Sequence, residues 1–141
     1  MVMEDHAMFD VLDMGASGLM AQRTRLDTIA GNIANANSTH DVNGKPNPYR
    51  RRFVLFAPGQ PNDPSKPGVR VESIQQDQSP FIRRFDPGNK DADEQGYVSY
   101  PNIDLSVEYV NALEASRAYE ANISMMEVSK AMINATLRLI A

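Results

Sequence analysis

The chain has no cysteine and no tryptophan. Disulfides, thiolate metal ligands and cysteine nucleophiles are therefore excluded. Histidine is almost as scarce: His6 and His40 are the only two, and neither stands beside a candidate nucleophile. There is no glycine-rich phosphate loop, no triad and no metal-ligand spacing, so the sequence reads as a protein without catalysis, cofactor or metal. No run approaches the ~20 apolar residues that span a bilayer, and direct membrane insertion is not expected. The acidic stretch Met1–His6 lacks an apolar core and does not read as a cleaved signal peptide.

Charge is sparse and split. Residues 1–38 carry five acids and two bases, 39–102 eight acids and nine bases, and 103–141 five acids and three bases. No segment holds the dense basic patch that nucleic acid requires.

Proline is absent from both ends. All nine prolines lie between Pro46 and Pro101, and proline breaks helices by removing a donor and crowding the preceding turn. Three segments follow, with boundaries at 1–38, 39–102 and 103–141. The fold class expected is mainly α with a small β insertion. Long N- and C-terminal helices pair as an antiparallel coiled coil, around a Pro-rich strand-and-turn middle.

In the first segment Leu12, Leu19, Leu26 and Ile33 recur every seven residues, with Phe9, Ala16 and Ala30 three residues before three of them. That is the two-row stripe of a coiled-coil helix, widened by Ile29. The spacing predicts a helix over Met8–Ala36. Gly15, Gly18 and Gly31 weaken it but leave room for a close neighbour. In the last segment Leu105, Ala112, Tyr119, Met126, Ile133 and Ile140 recur every seven residues, beside a mixed row of Tyr109, Ser116, Ile123, Lys130 and Leu137. Val110 and Leu113 broaden that face. Asp104 is a fitting N-cap, Glu108 suits the helix dipole, and Glu114 stands one turn from Arg117 as a surface pair. In the middle, Tyr49–Phe56, Val69–Ile74 and Phe81–Phe85 read as strands, with Tyr97–Tyr100 closing a small sheet. Asn43-Gly44, Pro58-Gly59, Pro67-Gly68 and Asp86-Pro87-Gly88 supply the turns. The acidic cluster Asp86, Asn89, Asp91, Asp93 and Glu94 lacks the glycine and final glutamate of a calcium loop and reads as a solvated turn. Arg50, Arg51 and Arg52 fit either a strand start with internal ion pairs or a contact to an acidic neighbour.

The stripes carry few large apolar side chains for helices this long, so burial does little to offset the ordering of their backbones. The packing stripe (Leu12, Leu19, Leu26, Ile29, Ile33, Leu105, Leu113, Tyr119, Ile123, Met126, Ile133, Leu137 and Ile140) is therefore expected to finish its burial against other subunits. A self-contained helical hairpin fits the periodicity equally well. A free-standing adaptor binding one partner helix is the competing function.

Specific runs favour assembly. Leu26–Thr39 contains Asn32-Ile33-Ala34-Asn35-Ala36-Asn37, with three asparagines at a helix end. Pro48-Tyr49-Arg50-Arg51-Arg52 opens the middle segment, and Phe85–Val98 contains Asp86-Pro87-Gly88, Asp91-Ala92-Asp93 and Gly96-Tyr97-Val98. Glu114-Ala115-Ser116-Arg117-Ala118-Tyr119-Glu120-Ala121-Asn122 lies in the last helix. These runs resemble, in order and spacing over nearly the whole chain, the flagellar rod and hook family of axial proteins and its proximal-rod members. His40-Asp41-Val42-Asn43, Lys90 and Asn111-Ala112-Leu113 depart from the family pattern. The resemblance implies a structural subunit of the basal-body rod, without a cleaved signal, that leaves the cytoplasm through the flagellar type III export apparatus. It would polymerise through its terminal helices around the export channel. Its expected partners are further copies, other proximal and distal rod subunits and the export-gate adaptor, and its place the rod that spans the periplasm.

Overall fold

A computed structural model of the protein describes residues 2–141, and their side chains from Phe9 on; the His6 side chain lies outside the described residues. Two helices dominate: α1 is Val2–Ala34 and α2 is Leu105–Ile140. Each is about 50 Å long at 1.5 Å per residue. Asp104 caps α2, its carboxylate accepting from the Ser106 and Val107 amides at 2.8 and 3.3 Å, which satisfies donors that a helix start leaves open. The α1 end is closed by Asn35, whose amide side chain donates to the Gly31 carbonyl at 2.9 Å.

The helices run antiparallel. Arg25 reaches Glu114 at 3.3 Å and Asn32 reaches Glu108 at 3.0 Å, while Gly18 lies against Asn122 and Gly15 against Met126. The two glycines set the spacing. A Cβ on Gly15 would stand 2.6 Å from Met126 Cγ, and one on Gly18 would stand 2.9 Å from Asn122 Nδ2. The close approach leaves no room there for a branched side chain on α1.

Between the helices, β1 (Arg52–Pro58) pairs antiparallel with β2 (Val69–Gln76), with an irregularity at Leu55/Phe56. The second pair, β3 (Ile82–Phe85) and β4 (Tyr97–Tyr100), forms a separate two-stranded sheet rather than extending the first. Strand pairing begins at Arg52, later than the expected Tyr49, because Tyr49 is held elsewhere: its amide donates to the Ser38 carbonyl at 3.0 Å. The first hairpin lies along α1, where the Ser17 hydroxyl accepts from the Val69 amide at 3.2 Å. Both sheets are too small to stand alone; Ala57, Val98 and Ile103 are buried in the middle segment, and Ala21 and Ile29 are buried on α1.

The loop between β1 and β2 turns on Gly59, at φ +103, where a Cβ would sit 2.5 Å from the Pro64 carbonyl oxygen. Both the backbone angle and the rigid neighbour exclude other residues. Gly59→Ala is expected to destabilise the protein by about 1–3 kcal/mol, read as a lower urea midpoint with an unchanged slope.

Candidate assembly surface and its buried anchor

Three separate parts of the sequence converge on one buried polar cluster. Asn32 near the end of α1 and Glu108 in the first turn of α2 are both 0 % exposed. The Asn32 side-chain nitrogen donates to Glu108 Oε2 at 3.0 Å and to the Arg52 carbonyl at 2.8 Å. Its oxygen accepts from the Arg52 amide at 2.8 Å and from the Tyr49 hydroxyl at 3.4 Å. Arg51 Nε donates to the other Glu108 oxygen at 2.6 Å, and its guanidinium lies 4.0 Å from Asp77. A carboxylate removed from water is tolerated only when paired and hydrogen-bonded. Here both oxygens are engaged, and the same contacts fix the entry of β1 to both helices.

A second anchor ties two loops of the middle segment. Asp91 is buried; it accepts from the Thr39 hydroxyl at 2.6 Å and lies 2.9 Å from His40 Nδ1. Asp91 is thus not part of a solvated turn, whereas Asp86, Asp93 and Glu94 are exposed. The Thr39 hydroxyl, and less strongly His40, hold the Asp91 carboxyl below its ordinary value against the opposing effect of desolvation. Asp77 and Asp63 are held low by the hydroxyls and amides of Ser79 and Ser65, and Asp93 by the Tyr97 amide and then the Gln95 amide and Arg83.

The helix seam differs from the row read in the sequence. On α2 the residues facing α1 are Glu108, Ala115, Asn122 and Ser129 in one row, with Ala112, Tyr119, Met126 and Ile133 in the other; Glu108 and Ala115 are buried and the rest half-buried. Only the second row was legible as apolar. The first is small or polar: Asn122 lies against Gly18, and Glu108 is held by Asn32 and Arg51. Leu113 and Ile123 lie off both rows and are exposed, as are Leu105 and Ile140 at the two ends of the second row and Leu137 near the end of α2, whereas Leu12, Leu19, Leu26 and Ile33 are half-buried and Ile29 is buried.

The motif residues divide in the same way. Asn35 accepts from the Ser38 hydroxyl at 3.1 Å, and the Ala36 amide donates to the Ile33 carbonyl at 3.3 Å. Ala34 and Asn37 are exposed. Glu114 pairs across the seam with Arg25 rather than with Arg117, which is exposed, and Ser116 is half-buried. Of the arginine run, Arg50 donates to the Asp77 and Ser79 carbonyls and stacks on Phe81 at 4.3 Å. Arg51 is spent on Glu108, and Arg52 is exposed over Tyr49. The buried role of Glu108 and the Asp91 clamp had no local signal in the sequence; only the tertiary contact reveals them.

Two terminal helices joined into one seam, an outer β segment pinned to them and apolar rows left on the outside define a self-assembling structural subunit. Residues 12–40 match the family of flagella basal body rod proteins, and residues 94–139 match the C-terminal family of flagellar basal body rod FlgEFG proteins. The flagellar basal-body rod protein FlgC of Salmonella typhimurium is 41% identical, over 94% of this chain and 98% of that protein. Those of Borreliella burgdorferi and Bacillus subtilis are 38% and 36% identical, each over more than nine-tenths of both chains. The chain belongs to the family of flagellar basal-body rod proteins FlgC. Its role is structural, in the flagellar rod.

Two outcomes follow from the anchors. Arg51→Met leaves Glu108 buried without its cation and is expected to cost about 3 kcal/mol; adding Glu108→Leu is expected to recover most of that loss, read as a coupling energy in a double-mutant cycle of urea melts. Each of the four depressed aspartates contributes stability that is present above its unfolded value, about 4, and is lost as pH falls through the lower folded value. The melting temperature should hold between pH 7 and 5 and fall below about pH 4, and Asp91→Asn should make that fall shallower.

Proposed function

We propose that this protein is a subunit of the proximal rod, polymerising through its terminal helices to form part of the axial drive shaft around the export channel. The observation that carries this reading is the exposure of Leu113 and Ile123 beside the paired rows of α2, and of Leu137 and Ile140 in its last turns. Exposed apolar rows of this length mark a surface meant for protein partners. In this reading residues 1–38 and 103–141 are the two halves of one discontinuous axial domain, and residues 39–102 are an outer segment that meets neighbouring subunits. The partners are further copies, the other proximal and distal rod subunits and the export-gate adaptor. Among the described residues no helix is long and apolar enough to cross a membrane. In this reading the chain is exported through the flagellar type III apparatus into a periplasm-spanning rod.

Deletion of the gene in the source bacterium, followed by electron cryotomography of basal bodies, tests the reading. The expected result is loss of the rod with the membrane ring and export gate in place; a complete rod with normal motility would return the adaptor reading to the front. At residue level, Leu19→Asp and Ile123→Asp are expected to block incorporation and swimming: Leu19 is half-buried within the chain and Ile123 lies on the exposed apolar surface that a neighbour would cover, and an unpaired charge shut away from water costs several kcal/mol. Lys66→Gln, at an exposed position, should leave both unchanged.

A further inference from the structure

Beside the rows that face α1, helix α2 carries another apolar row, with Met125 at its near edge reaching toward Gly15. Ala121, Met125, Val128, Met132, Ala135 and Leu139 alternate at intervals of four and three residues, the spacing of a coiled-coil seam. At about 100° per residue they lie well round the helix from Ala115, Asn122 and Met126, which face α1. All six are exposed, Val128 by 59% and Met132 by 65%. So regular a row fits a helix rather than a loop or a lipid surface. Exposed Arg117 and Arg138 stand immediately before Ala118 and Leu139, at flanking positions where coiled coils place the charges that choose a partner.

The outward side of α1 has the complementary character. Phe9 and Met20 are 62% and 61% exposed, and with Ala16 they lie about half a turn from Gly18, the residue facing α2. Asp13 and Asp27 share that side and Asp10 borders it, against the single base Arg23. Two α2 rows brought together would bring arginines to a face whose acid in line with the row, Glu114, is already paired with Arg25. An α1 face offers aspartates instead.

We infer that the outward face of α1 in one copy docks on the Ala121–Leu139 row of the next copy. The two faces point away from each other across the helix pair, so a copy docked through one still offers the other. Contacts between unlike faces are heterologous and propagate as open assemblies rather than closing as dimers. This inference rests on the rod reading above and specifies which surfaces propagate it.

The absence of native cysteine makes disulfide trapping direct. Met20→Cys is combined in one chain with Met125→Cys, Val128→Cys or Met132→Cys, produced in the source bacterium lacking the native gene, and basal bodies are isolated and oxidised. The expected result is a ladder of dimers, trimers and higher multimers of this chain in at least one pair, and monomer in every single-cysteine control. A chain present in the rod that stays monomeric in all pairs, stops at dimers, or cross-links only to a different protein would overturn the inference and leave the rod reading intact. A wild-type chain missing from basal bodies would overturn both. Should the cysteines themselves prevent incorporation, Met20→Asp and Val128→Asp give the answer. Both sites are exposed in the single chain, so the melting temperature of the isolated protein should not move while incorporation is lost; normal swimming of both variants would overturn the docking.

Discussion

The architecture depends on the buried carboxylate of Glu108. A charge with no exposed surface would unfold its surroundings unless each oxygen found a donor, and the donors come from distant parts of the chain: Arg51 from the entry to β1 and Asn32 from α1. The contact therefore fixes two things at once. It sets where α2 begins relative to the end of α1, and it pins the middle segment at that junction. An apolar contact would be less selective, because it tolerates sliding; a carboxylate with two defined partners does not.

From that junction the helices diverge in what they bury. Near it they are covered by the first hairpin, and Ser17, Ala21, Ile29 and Asn32 are buried. Farther along, glycine, alanine, asparagine and serine line one side of the seam and Tyr119, Met126 and Ile133 the other, with Met126 filling the gap left by Gly15. Small residues allow close backbone approach but bury little apolar area. The larger side chains are displaced to the outside, and the single chain is left with exposed rows that other subunits can cover. Weak self-packing and strong mutual packing thus arise from the same choice of residues.

The middle segment is stabilised differently. Its loops are held by aspartates that accept from amides and hydroxyls two to four residues on: Asp41 from Asn43 and Lys45, Asp63 from Ser65, Asp77 from Ser79, Asp93 from Gln95 and Tyr97. Such turns are local and hold their shape without a large core. Arginines stacked on aromatic rings, Arg83 over Tyr97 and Arg84 over Tyr100, cover the small second sheet. The Asp91 clamp, the Glu108 junction and Arg50, which donates to the Asp77 and Ser79 carbonyls, reach across the segment.

Much of this was legible in the sequence because it is local. The proline boundaries, the two long helices, the Asp104 cap, the strand positions and the close approach at Gly15 and Gly18 follow from backbone sterics and from seven-residue periodicity, which neighbouring residues alone decide. The family runs around Asn32–Asn37 and Glu114–Asn122 were equally plain. What the sequence could not decide is which row of α2 meets α1. Periodicity marks rows but not their partner, and the row actually used, Glu108, Ala115, Asn122 and Ser129, is not apolar. Nor do Asn32, Arg51 and Glu108 signal one another at separations of 19 and 57 residues, or Thr39 and Asp91 at 52. By itself the sequence determined the elements and the family; the tertiary structure alone decided which faces are spent within the chain and which are left for its neighbours, because burial is a property of the packed molecule and not of any segment.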